Sequence, residues 1–255
     1  MKKLKGFKLI LMVLIIVTVA TGCSRGKDAE KLLGQWLLLS DFQETLTIEK
    51  LDKGFLWTDK DGEFSAAFKD GKLSLETGQT YAQYNDEKEN LVVLRLNDEG
   101  YFIGKKNFTN KIRLLINQFF NKSKYNLLVE NAEAFKEFMT ESFYQSVQEV
   151  KKERMDNGLI LREKIESNHT LTFGDVEIIS GNGVMITVTV HYHSLMRSMA
   201  EDHVFENGKT EIEYKGSETL EFYLLYEEES FKIDNIESTY FDEEFLDSDG
   251  NWVKK

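Results

Sequence analysis

His191 and His193 are the residues whose types and spacing most invite chemistry. They lie in the segment Gly183–Ser194, where Val184, Ile186, Val188, Val190 and Tyr192 alternate with Met185, Thr187, Thr189, His191 and His193. Strand alternation puts both imidazoles on one face. There they could share a metal ion or act as an acid–base pair. A zinc site needs at least a third ligand. His203 or a nearby carboxylate is the candidate, and no spacing fixes the choice. The alternative is a half-exposed polar strand face that carries two histidines. A second candidate is Asp59-Lys60-Asp61-Gly62-Glu63. A helix-flanked calcium loop needs its glycine at the sixth position and a bidentate glutamate at the twelfth. Counted from Asp59, those positions hold Phe64 and Asp70, so a hairpin turn is the better reading. Phe135, Phe138 and Phe143 form an aromatic helix face, expected as core rather than as a pocket wall. The chain has no Gly-x-Ser-x-Gly elbow, no phosphate-binding glycine loop and no His-Glu-x-x-His helix. No cofactor is called for.

The elements that must position these residues come in two sets. From Lys31 to Lys106 the pattern is short strands and turns. The expected strands are Gln35–Ser40, Glu44–Leu51, Gly54–Thr58, Glu63–Phe68, Lys72–Thr77, Leu91–Leu96 and Tyr101–Lys105. Asp70-Gly71 between two of them is a type I′ hairpin signal. Asp59–Gly62 and Asn97–Gly100 read as longer turns ending in glycine. Consecutive hairpins make a meander, which predicts a small antiparallel barrel or curled sheet. Near Asn107 the period changes. Ile112, Leu115, Ile116, Phe119 and Phe120 recur at helical spacing, and a second helical pattern runs from Leu127 to Met155. Phe135, Phe138, Met139, Phe143, Val147 and Val150 share its apolar face. Strands return at Thr170–Ile179, Gly183–Ser194, Glu211–Lys215, Thr219–Tyr226 and Phe231–Asn235, and the acidic, aromatic tail Ser238–Lys255 has no assignment.

Two resemblances follow from these patterns. Gly34-Gln35-Trp36 is similar to the opening Gly-x-Trp of lipocalin-like barrels. The order of helices then long strands, with Leu220-Glu-Phe-Tyr-Leu-Leu-Tyr followed by Phe231-Lys-Ile-Asp, resembles the nuclear transport factor 2-like fold of Gram-positive envelope proteins. That resemblance implies an α+β domain with helices packed on a curved sheet. Its relatives can use a His and an Asp inside the cone, but no aspartate here matches by position.

The first residues read as an export signal. Lys2, Lys3, Lys5 and Lys8 precede an uncharged run, Leu9 to Ala20. Basic start, apolar core and small-residue site are the secretory order. Twelve helical residues reach about 18 Å, against a bilayer core of about 30 Å. Ala20-Thr21-Gly22-Cys23 resembles the bacterial lipobox, with Ala20 where that family usually has leucine. The resemblance implies lipid on Cys23 and cleavage just before it; two or more acyl chains make a durable anchor. The alternative is an uncleaved N-terminal anchor. The expected organisation is a signal peptide over 1–22 and a lipid-anchored tether over 23–30. A small all-β domain follows over 31–107, and an α+β domain over 108–255.

Composition narrows the functions. Cys23 is the only cysteine, so an acylated form has no disulfide and no thiol chemistry in its folded part. The formal net charge is −12; residues 1–22 hold four lysines and no acid, so the remainder has 28 basic against 44 acidic residues, a formal −16. Such a surface repels nucleic acid and anionic lipid. The alternating strand and helix pattern of transporter-type binding proteins is missing. The expectation is a non-catalytic binding or interaction protein, lipid-anchored on the outer face of a Gram-positive cell membrane. Its partner would be an envelope protein or wall component. The alternatives are a small-ligand binder with a barrel or cone pocket, and an enzyme centred on His191 and His193.

Overall fold

The computed structural model describes residues 28–95, 98–158, 162–200 and 203–255. The leader, the lipobox-like tetrapeptide and Cys23 lie outside the described residues. The chain divides into two compact units, Met1–Phe108 and Thr109–Lys255.

The first unit is a closed antiparallel barrel of eight strands. They are β1 (Gly34–Leu38), β2 (Asp41–Lys50), β3 (Phe55–Asp59), β4 (Gly62–Lys69), β5 (Lys72–Leu75), β6 (Tyr81–Asn85), β7 (Asn90–Arg95) and β8 (Asp98–Gly104). Each pairs with the next, and β1 pairs back onto β8 through Trp36↔Gly104 and Leu37↔Ile103. Closure removes the free sheet edges that would otherwise recruit other chains. Local chemistry sets the turns. Asp70 (φ 53°) and Gly71 (φ 78°) both take the left-handed conformation that a type I′ turn requires. Asp59 pairs with Gly62, so that segment is a tight hairpin. Arg95 pairs with Asp98, so Asp98, Glu99 and Gly100 belong to β8 rather than to a turn. Strand β6, in a stretch of alternating polar and aromatic residues, was not among the expected strands.

The barrel interior is packed with side chains. Trp36, Leu46, Ile48, Trp57, Leu73 and Leu91 are all buried in one cluster. Trp36 donates its indole N–H to the Leu32 carbonyl at 2.9 Å, and Trp57 donates to Asp59 at 2.8 Å. Phe42 meets Phe108 edge-on at 4.8 Å.

The second unit is built on a five-stranded antiparallel sheet in the order β13-β12-β11-β10-β9. The strands are β9 (Arg162–Ser180), β10 (Gly183–Ser198), β11 (Glu211–Glu227), β12 (Ser230–Leu246) and β13 (Trp252–Lys254). Helices α1 (Lys105–Ser123) and α2 (Glu141–Asp156) and a 3₁₀ helix (Ala132–Phe138) precede it. One face of the sheet packs against them: Phe119 and Phe120 both lie 5.8 Å from Phe222 on β11.

About 56% of the residues are strand and about 20% helix, so the protein is mostly β. An α+β assignment with a nuclear transport factor 2-like domain does not hold. The bias came from reading 127–155 as one long helix. It is a turn, a 3₁₀ segment and α2, separated where Met139 bridges Ile233 and Thr140 caps α2. On α2, Tyr144 and Val147 are buried while Val150 is 40% exposed, so the buried stripe is narrower than expected. The strands are also longer than they read. Glu211–Lys215 and Thr219–Tyr226 are one strand, and most of the unassigned tail belongs to β12 and β13.

Candidate functional site

Strand β10 supplies the centre of the site, and alternation sorts its residues onto two faces. Val190, Tyr192, Ser194 and Met196 face the helices, whereas His191 and His193 are exposed on the opposite face. The two histidines thus share a side, as their spacing requires, but nothing assembles around them. The His193 Nε2 lies 3.1 Å from Glu213, and its ring stands 5.8 Å from Trp252. They flank a shallow depression of about 530 Å³ with Lys215, Asp242 and Glu244. His203, the expected third ligand, packs edge-on against Phe205 elsewhere. Among the described residues no group of three or more His, Cys, Asp or Glu is placed to hold a metal ion.

The helix-facing side of the same strands holds a hollow of about 480 Å³. Three cross-strand rows contribute residues to its floor. Leu171, Val190, Glu218 and Phe241 are register neighbours across β9 to β12. So are His169, Tyr192, Gly216 and Glu243. Ser167, Ser194, Tyr214 and Phe245 make the third row. Phe120, Ser123, Leu127 and Arg154 from the helical segments close the other side, with Arg162, Lys164 and Lys255 at its edges.

The middle row depends on a glycine. Tyr192 reaches across β11 and donates its hydroxyl to Glu243 Oε1 at 2.9 Å. Gly216 lies between them, and a Cβ there would fall 2.3 Å from the Asp242 carbonyl and 3.1 Å from the Tyr192 hydroxyl. Only a residue without a side chain leaves this crossing open. Glu243 is buried, and its other oxygen lies 3.4 Å from Lys255 Nζ. Burial, reinforced by Glu243, pushes the Tyr192 phenol well above the ordinary tyrosine range. Burial likewise pushes Tyr214 up to about 12, helped by Glu206 and Glu243.

The cation of the site is Lys164. Its Nζ donates to the Ser123 carbonyl at 3.3 Å, and it takes part in no ion pair among the described residues. Desolvation lowers its pKa from the ordinary value, against the opposing pull of Glu218 and Glu130. His169 lies beside it against Phe120, 5.8 Å between rings. Its pKa is lowered by burial first, then by Lys164 and Lys124. Ser167 and Ser194, both buried, share one hydrogen bond of 2.8 Å between their hydroxyls. Two hydroxyls carry two protons, and a single mutual bond uses only one. Chemically the hollow offers donors, a half-buried ammonium and the Glu218 and Glu243 carboxylates beside a smaller apolar wall.

Sequence reading missed this side of the sheet. Tyr192 was assigned to the apolar face, and Lys164, Ser167 and His169 fell before the expected start of their strand. One signal was present. A polar strand start that carries Lys, Ser and His, facing a Val-rich strand, is a burial anomaly.

No family model matches the chain, and no curated protein matches it. Among solved structures, that of Bdellovibrio bacteriovorus Bd1075 aligns over 81% of this chain and 94% of its own at 13% identity, with a TM-score of 0.28. A likeness that slight carries neither fold nor function.

Proposed function

We propose that this chain is a lipid-anchored extracytoplasmic protein that binds a small molecule in the helix-facing hollow of its second unit. The observation that carries the binding reading is that hollow: about 480 Å³, within the range of small-ligand pockets. Its polar groups, the larger share of its surface, converge from four strands and two helices beside a smaller apolar wall. Trp57, Leu73 and Leu91 are buried at the centre of the barrel. A small ligand is therefore favoured over a wall polymer or protein partner.

The export reading rests on the sequence alone: a short apolar leader, then Ala20-Thr21-Gly22-Cys23. Mass spectrometry of the mature polypeptide should find Cys23 first and carrying a diacylglyceryl group. An unmodified thiol would end the anchor proposal. For the pocket, resonance assignments of Tyr192, Ser194 and His169 should shift on screening with small organic acids, alcohols and amines. A screen in which only surface residues respond would end the binding proposal.

A further inference from the structure

We infer that the ligand of this hollow carries one carboxylate-type anionic group, received by Lys164 and the Ser167–Ser194 hydroxyl pair, on an apolar body. This inference rests on the pocket-binding reading above and names the class of ligand.

The hollow holds unmet hydrogen-bonding capacity. An ammonium has three N–H donors, and Lys164 spends one on the Ser123 carbonyl. Every other cation lining the hollow except Arg154 at the rim is already matched to a carboxylate: Arg162 to Glu130 at 3.6 Å and Lys255 to Glu243 at 3.4 Å. Lys164 is half-buried and has no carboxylate within ion-pair distance among the described residues, only the longer-range pull of Glu218 and Glu130. A buried charge is costly unless it is paired, so a site that retains one is suited to receive its partner from outside. Ser167 and Ser194 are 4% and 2% exposed and hold one hydroxyl proton that their mutual bond does not use. They lie on the same floor as Lys164, whose strand partner Met196 also lines the hollow. An acceptor group placed there satisfies both deficits at once.

The charge count sets the anion's valence. Glu218 and Glu243 both line the hollow, the second paired with Lys255 and hydrogen-bonded by Tyr192. A dianionic phosphate monoester would meet the Lys164 ammonium, with Arg154 only at the rim, and the Glu218 and Glu243 carboxylates, and like charges at close range cost free energy. A single negative charge facing Lys164 meets less repulsion from Glu218 and Glu243 than a double one. Phe120, Leu127, Val190, Met196 and Phe241 provide the apolar contact for the rest of the molecule.

The test uses three probes that share one body: 3-phenylpropionate, 3-phenylpropan-1-ol and 3-phenylpropyl phosphate. Each is titrated by NMR into the full chain in detergent micelles, with empty micelles as the blank. The expected result is binding of the acid at least ten-fold tighter than the alcohol or the phosphate ester. In Lys164→Met, affinity for the acid should fall to that of the alcohol, while the alcohol is unaffected. Ser194→Ala keeps the charge, so it serves if Lys164→Met fails to fold; it should weaken the acid several-fold. Equal binding of acid and alcohol, unchanged in both variants, overturns the anion inference and leaves the pocket reading intact. Tighter binding of the phosphate ester overturns the single-charge assignment. If no probe shifts any hollow-lining residue, the pocket reading itself falls and takes this inference with it.

Discussion

At the scale of single residues, the site turns on what is absent at position 216. The run Lys215-Gly216-Ser217 reads in sequence as a break between two short strands, because glycine weakens a strand interior. In the structure the strand continues through it, and the missing side chain is where Tyr192 crosses to Glu243. Sequence alone cannot separate a glycine that ends a strand from one that clears a path. The distinction lies in a partner two strands away. Gly216→Ala should therefore destabilise the second unit by more than about 2 kcal/mol, in the range of core overpacking, since Asp242 and Glu243 backbone atoms block the new methyl. Tyr192→Phe removes a hydrogen bond to a buried charged group and should cost about 1.5–3 kcal/mol. Chemical denaturation of each variant measures both. A neutral Gly216→Ala would mean that Tyr192 does not take this path.

At the scale of elements, the legible parts are those with unbroken period. The alternation of Val184 to Tyr192 marks β10 from sequence, and Asp70-Gly71 marks a hairpin because its backbone demand is local. The illegible parts are those where bulges reset the count. Leu195 pairs with Glu166 and Met196 with Lys164, so Ile165 has no partner of its own. That bulge puts Lys164 and Ser167, three apart, at the same hollow; strict alternation would have sent them to opposite faces. Strand β12 has two such shifts, around Asp234 and Thr239, which explains why its second half read as an unassigned tail. The bulge residue Asp234 has a structural role. It accepts from Thr140 Oγ1 at 2.8 Å, and Thr140 in turn caps α2 by accepting from the Phe143 N–H at 3.2 Å. The Thr140 backbone N–H also donates to the Ile233 carbonyl at 2.9 Å. This cap fixes where the helical pattern breaks. Thr140→Val keeps the shape and loses every hydroxyl bond, to Asp234, the Phe143 N–H and Ser142, so it should cost about 1–2 kcal/mol. Amide exchange in the first turn of α2 should quicken, with the barrel unchanged. Unaltered exchange there would show that the cap is not what holds the helix start.

At the scale of the whole molecule, the two units should respond differently to acid. All four histidines, at 169, 191, 193 and 203, lie in Thr109–Lys255, and the barrel has none. His169 faces Phe120 and is surrounded by the charges of Lys164 and Lys124, with Tyr192 and Glu243 along its row. Its folded pKa is lowered below the ordinary 6.5. The unfolded chain then binds the proton more tightly, so stability rises with pH across the window between the two values and is lost as pH falls below 6.5. Lys164 has the same sign in the alkaline range. Its folded pKa is below 10.5, so the cost of its charge is fully present at neutral pH and is relieved as pH rises toward 10.5. The carboxylates common to wild type and variants cancel in a comparison at each pH. His169→Gln should therefore lose less stability than wild type between pH 7.5 and 5.5, and Lys164→Met should gain less between pH 7 and 10. Trp36 and Trp57 report on the barrel and Trp252 on the sheet, so fluorescence of Trp252→Phe against the parent assigns each transition to its unit. An acid loss of equal size in wild type and His169→Gln would show that the imidazole is not desolvated in the hollow. The floor would then be wetter than its packing against Phe120 implies, and the case for Lys164 as a charge held away from water would weaken with it.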